Sequence, residues 1–455
     1  MKTKILFLIL VITLSKTSLT GQNSLLPIDS LFVNKIDEFY KNANDFRDKA
    51  WPGMTLSPIC IFRKNGPAFL YNHPNPPKTL KKIRDNLYQG RQAELQLIGA
   101  TQAEINGTLV AIIDYGLPNY STPEEAFAEL FHEIHHVYQR NSVSGINPDN
   151  PITLMSYPEN YKNDALKIAE QKLFYSLCFC DKEKEFKELL NQINSIREKR
   201  ETIIGKKYLE YEKDVESLEG PAFYCQLLYY QEYANVNEVL KKNYIEKEFF
   251  GVLNTPYYGR EKLRSRHLAT GMAMCHILDK YKKDWKKEYY TSGMKLYDFF
   301  ISQFEVEKID FDDTEIEYAI SNYHTQILSE KHLKNFDEFQ NQKGVKVILT
   351  FRNTPQFRGF DPMNAEAIND STVLHTTLLK LKGNNDNELF ISNWPVITHY
   401  TEQIWFVDKI IVFVPEEDIK LTDNKQIEIK NENILISWQG VAKRKNKNEI
   451  EIICD

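Results

Sequence analysis

The sequence predicts an α+β protein. It reads as mainly helical to about residue 340, with a short β-hairpin or edge strand ahead of its most informative helix, then as an all-β domain over residues 344–455. Three observations carry that reading. Apolar side chains recur at helical spacing over 123–140, 161–240 and 268–278, the pattern of helices that bury one face. Asn106-Gly107 joins two β-prone runs, and this dipeptide is the strongest short signal for a tight hairpin. From about Gly344 the period changes to two, with runs at 345–351, 372–381, 388–392, 404–414 and 427–438 between turn-rich segments, which suggests a small sandwich or barrel.

Taken in chain order, Lys2 and Lys4 precede an apolar run over 5–14 and a small, polar stretch over 15–22. That is the three-part form of a secretory signal, so residues 1–21 read as a signal peptide and the mature protein as exported, whether periplasmic, cell-surface-associated or extracellular. Residues 22–340 read as one domain. Its first part mixes a helix over 36–49 with Pro-rich loops such as Pro74-Asn75-Pro76-Pro77. The second run of the hairpin, 108–115, leads almost directly to Thr122-Pro123-Glu124-Glu125, which supplies an N-cap, a proline at the first helical position and a carboxylate at the third. Residues 109–115 are the expected sheet-edge strand beside that helix.

After Arg140 a polar loop precedes a helical region in which 161–207 reads as an inserted hairpin. Arg197 and Arg200, one turn apart, read as a solvated face with ion pairs, the alternative being that they orient a carboxylate. A further apolar helix over 268–278 follows Arg264-Ser265-Arg266-His267, and Gly271 in it admits close approach of another backbone.

Composition narrows the functions available. A chain of 455 residues, 42% hydrophobic and 12% aromatic, can bury a large core. Its formal charge of −6 becomes −9 once Lys2, Lys4 and Lys16 leave with the signal, so nucleic acid is a poor partner. The apolar run at 5–14 is too short to span a bilayer and nothing later approaches the required length. Six cysteines, including the close pair Cys178 and Cys180, lie in apolar or helical stretches and read as buried thiols.

The densest chemical signal is His132-Glu133-Ile134-His135-His136. It is the H-E-x-x-H pattern of zinc peptidases: residues i and i+4 of a helix share a face, so both imidazoles reach one ion while Glu133 stands beside it as general base. Phe127, Leu130, Phe131, Ile134, Val137 and Tyr138 give this helix a wide apolar stripe, leaving the edge of His132 and His136 to face a cleft. His135 lies outside the ligand pair. A catalytic zinc takes three protein ligands and keeps one position open, so a third ligand must come from elsewhere.

Here a family resemblance enters. Glu219-Gly220-x-Ala222-x-Tyr224 resembles the E-G-x-A-x-Y segment of gluzincin metallopeptidases, and the whole arrangement is similar to exported bacterial proteins that combine it with H-E-x-x-H, a glutamate-bearing helix like that around Glu170, paired arginines and a β-rich tail. The resemblance implies a zincin-like metallopeptidase domain over 22–340 with one Zn²⁺ on His132, His136 and Glu219 and a peptide or protein substrate. Glu216 and Glu170 are rival third ligands. For the oxyanion donor the choices are Tyr224, His267, Tyr257 and Tyr258, with Tyr224 and His267 put first beside Glu133 as catalytic groups. The chain departs from the family pattern in three ways. Pro221 requires the helix to begin or kink there, the gap from His136 to Glu219 is long, and the G-x-M-E-N segment that holds a substrate's amino terminus is missing. The reading from another class is a noncatalytic exported binding protein with a degenerate or structural metal site.

Overall fold

The computed structural model describes residues 25–117, 120–142, 151–314, 316–369, 371–384, 386–401, 404–422 and 426–455; the signal-peptide reading of residues 1–21 lies outside them. The chain is mixed, with a largely helical N-terminal part and a β-rich C-terminal part. The helices are α1 (Pro27–Ala50), α2 (Gln92–Leu95), α3 (Pro123–Ser142), α4 (Pro151–Met155), α5 (Tyr161–Phe179), α6 (Glu183–Ile204), α7 (Lys206–Tyr233), α8 (Glu238–Ile245), α9 (Leu263–Tyr281), α10 (Trp285–Ser292), α11 (Leu296–Ser302) and α12 (Tyr318–Gln340). Among the described residues, no helix is long and apolar enough to cross a membrane.

The N-terminal sheet contains β1 (Ile59–Phe62), β2 (Pro67–Tyr71), β3 (Lys81–Arg84), β4 (Leu87–Arg91), β5 (Thr101–Ile105) and β6 (Thr108–Asp114), in the order β3-β4-β2-β1-β6-β5. Asn106 and Gly107 have φ of 46° and 77°, so the expected β5–β6 hairpin closes through two left-handed residues. The edge is the other strand of that hairpin, however. Strand β6 lies inside, parallel to β1 and antiparallel to β5, which leaves β5 as the outer strand. Alternation along β1 and β6 sends Ile59, Ile61, Ala111 and Ile113 into a core shared with α1, α3, α7 and α9, while Cys60, Phe62, Val110 and Ile112 face a smaller one.

Two glycines let α7 and α9 meet backbone to backbone. A Cβ built on Gly220 of α7 would lie 2.5 Å from the Cα of Gly271 in α9, so the two backbones touch where they cross. Helix α7 runs unbroken from Lys206 and carries Pro221 inside, so it does not begin at the proline.

Arg197 and Arg200 do not form a solvated face. Both are buried between α5, α6, α7 and α9. Arg197 donates to Glu170 (2.8 Å) and Glu216 (2.9 Å), and Arg200 donates to Glu170 (2.8 Å), Asn163 (3.0 Å) and Glu212. Lys167 lies 3.3 Å from Glu170 and 3.7 Å from Glu216, and Arg266 pairs with Asp164 at 2.6 Å. Four cations, Lys167, Arg197, Arg200 and Arg266, thus meet four carboxylates, Asp164, Glu170, Glu212 and Glu216. Such balance is what makes burial of charge tolerable. All six cysteines are buried and unbridged.

The β-rich part comprises β7 (Val345–Phe351), β8 (Gln356–Phe360), β9 (Ala365–Asn369), β10 (Thr372–His375), β11 (Leu378–Lys382), β12 (Glu388–Ser392), β13 (Val396–Tyr400), β14 (Val407–Val414), β15 (Ile419–Leu421), β16 (Gln426–Lys430), β17 (Ile434–Asn446) and β18 (Glu449–Cys454). The expected sandwich or barrel is one continuous hydrogen-bonded sheet of twelve strands. The first half of the long β17 pairs with β12 and β16 and its second half with β18, so both leaves close over one core. This part docks on the helices through Phe339 against Leu374 and Ile397, and Met155 against Ala365, Val373 and Ile404.

Candidate metal centre

Helix α3 begins as its sequence directs: Thr122 Oγ1 accepts from the Glu125 backbone at 3.4 Å, and the Glu125 carboxylate caps the Ser121 N–H at 2.7 Å. Its apolar stripe, Phe127 to Tyr138, is buried in the main core, which turns His132, Glu133 and His136 toward a cleft of about 810 Å³. Helix α7 brings Glu219 to the same place. His132 Nε2 and His136 Nε2 are 2.9 Å apart, and Glu219 Oε2 lies 3.5 Å and 3.2 Å from them. All three side chains are buried, and among the described residues no other group of His, Cys, Asp or Glu could hold a metal.

The donor set and spacing fit zinc. A tetrahedral ion with bonds of about 2.1 Å has ligand-to-ligand edges of about 3.4 Å, close to the separations here. The hydrogen bonds behind the ligands argue the same way. Gln139 Nε2 donates to the Leu218 carbonyl (3.1 Å) and to Tyr290 Oη (3.2 Å). A carbonyl can only accept, so the amide nitrogen must face it and Gln139 Oε1 must face His136 Nδ1, 2.8 Å away. His136 therefore carries a proton on Nδ1, and its Nε2 faces the Glu219 carboxylate, where it offers a lone pair to an ion or, when protonated, donates to Glu219. A cation between them, a metal ion or the ring's own second proton, satisfies both: burial pushes the His136 imidazole down, but the Glu219 carboxylate outweighs it and raises the pKa above its ordinary value. Burial pushes the Glu219 carboxyl up, yet the imidazoles of His136 and His132 outweigh it and hold the group well below the usual carboxylate range.

The other side chains singled out in the sequence fall into two groups. Glu133 lines the cleft, accepting from Gln102 Nε2 of β5 at 2.7 Å. Tyr257 lines it too. Tyr224 does not: its hydroxyl donates to Asp279 at 2.5 Å on the far side of α7. His267 lies within the buried ion cluster, 3.4 Å from Glu216 and 3.6 Å from Glu212, and Tyr258 stacks on His324. Glu216 and Glu170 are engaged by arginines in that cluster, away from the two histidines. His135 packs against Trp51 behind the helix.

Three residues at the centre were missed. Gln139 could have been found, because it stands one turn beyond His136 on the same helix. Arg264, which holds Glu219 Oε1, and Gln102 come from distant segments and carry no local signal. No protein-family model, curated protein or solved structure matches this chain.

Proposed function

We propose that this protein is an exported zinc-dependent metallohydrolase of gluzincin type, acting on peptide bonds of a peptide or protein substrate. The observation that carries the reading is the convergence of His132 Nε2, His136 Nε2 and Glu219 Oε2 in a cleft whose floor also presents Glu133. Zinc bound there would polarise the scissile carbonyl and lower the pKa of its water. Glu133 would act as the general base and acid, taking a proton from the attacking water as it adds to the carbonyl and giving it to the amine nitrogen as the C–N bond breaks. Tyr257 is the one of the four proposed oxyanion donors that lines the cleft, and takes that role in place of Tyr224 and His267. The outer strand β5, with Thr101 and Gln102 lining the cleft, offers its edge to an extended chain, in place of the residues 109–115 expected at the sheet edge. The basic, apolar and small segments at the N-terminus support export.

One observation favours the noncatalytic binding protein: Gln102 occupies an oxygen of Glu133. Glu133→Gln decides between the two. The hydrolase reading expects full zinc content with turnover on a peptide library reduced by about 10²- to 10⁴-fold; undiminished turnover, or none in the zinc-loaded wild type, overturns it.

A further inference from the structure

The two histidines of the centre are not held alike. His132 Nδ1 is buried and meets no acceptor among the described residues, whereas His136 Nδ1 is held at 2.8 Å by Gln139 Oε1. Gln139 is itself buried, and its amide nitrogen reaches across to the Leu218 carbonyl of α7, the residue before Glu219, and to Tyr290 of α10. One side chain therefore grips both helices that carry the ligand set, through groups whose donor and acceptor roles are fixed by the Leu218 carbonyl.

Resting on the metal-centre reading, we propose that Gln139 is the positioning residue of the centre. It sets the Nδ1–H tautomer of His136, so that the Nε2 lone pair faces the ion, and it fixes the register of α7 so that Glu219 Oε2 meets that lone pair. Three features separate it from a packing residue: its Oε1 touches a ligand, its Nε2 touches the chain next to another ligand, and among the described residues no other hydrogen bond links His136 to α7 apart from the one with Glu219 itself. Partners of metal-bound histidine are most often carboxylates or backbone carbonyls; a neutral amide orients the ring without adding negative charge behind it. The centre thus has one imidazole held by a hydrogen bond behind it, His136, and one held by packing against Phe223 of α7, His132.

The experiment compares Gln139→Met, which keeps length and volume but loses every hydrogen bond, with Tyr290→Phe, which removes a neighbour of the amide and leaves the His136 bond in place. Zinc affinity is measured by chelator competition on the full-length protein, with the visible spectrum of the cobalt-loaded form as a second readout. Gln139→Met is expected to bind zinc about 10- to 100-fold more weakly and to show a changed cobalt spectrum, while Tyr290→Phe matches the wild type in both. Wild-type affinity in Gln139→Met, or equal losses in the two variants, overturns the proposal. If the wild type binds no zinc, the metal-centre reading fails and takes this one with it; a wild type that binds zinc separates the two failures.

Discussion

Helix α7 carries two sets of buried carboxylates that differ in how they are compensated. Glu212 and Glu216 point into a sealed cluster in which four cations balance four anions, every contact made by the protein itself. Glu219, one turn further on, points into the cleft, where two imidazole nitrogens and a carboxylate oxygen converge within 3.5 Å. Burial is the same in both places, so burial does not mark the working site. What sets it apart is the donor set: beside Arg264, Glu219 meets two imidazoles that can give lone pairs to the proposed ion, whereas the carboxylates of the first cluster meet fixed cations.

The comparison can be broken from either side. The largest effect is expected from His136→Ala and Glu219→Ala, each of which should abolish stoichiometric zinc by elemental analysis. Because Glu219 is buried and holds Arg264, Glu219→Ala should also lower the metal-free unfolding free energy, by about 1–3 kcal/mol. Zinc retained by either variant would end the distinction between the clusters. In the sealed cluster, Arg200→Met strips a cation from Glu170 and Glu212 and should cost about 3–5 kcal/mol in urea unfolding; a loss below about 1 kcal/mol would mean the cluster is not structural.

A smaller effect comes from pH. Burial, with the Lys167 cation beside it, pushes His267 down to about 4 despite the pull of Glu212 and Glu216. The unfolded chain takes up a proton on this ring near 6.5 and the folded chain does not, so stability is lost as pH falls from about 6.5 to about 4, by roughly 3 kcal/mol. His267→Gln should flatten that part of the stability curve, read from thermal unfolding across the window. The smallest expected change is Gly271→Ala, whose Cβ would lie 2.6 Å from the Gly220 Cα; forcing the helices apart should cost about 1–3 kcal/mol and weaken zinc binding as well, which isothermal titration would detect.

What the sequence made legible follows the range of the interactions. The α3 helix, its cap and its facing residues depend on spacings of three and four, and all were readable; so was the Asn106-Gly107 turn. Glu219 needed a resemblance to known metallopeptidases, because the gap between it and His136 holds three other helices. Tyr224 could have been set aside, since five residues along a helix turn it about 140° away from Glu219. The rank of β5 as the outer strand was hidden, because it depends on β1 pairing with β6 across more than forty residues of intervening chain. The buried state of Arg197 and Arg200 was hidden for a similar reason: an arginine pair one turn apart looks solvated until α5 and α7 supply carboxylates from far along the chain.

The touching glycines have a mechanical side. Where Gly220 meets Gly271, no side chain stands between α7 and α9, so the crossing is a fulcrum. When two levers rock about a fulcrum, their far ends travel and the pivot stays still. Glu219 is bonded to the pivot residue, so the third arm of the triad rides on the part of the helix pair that any rocking displaces least.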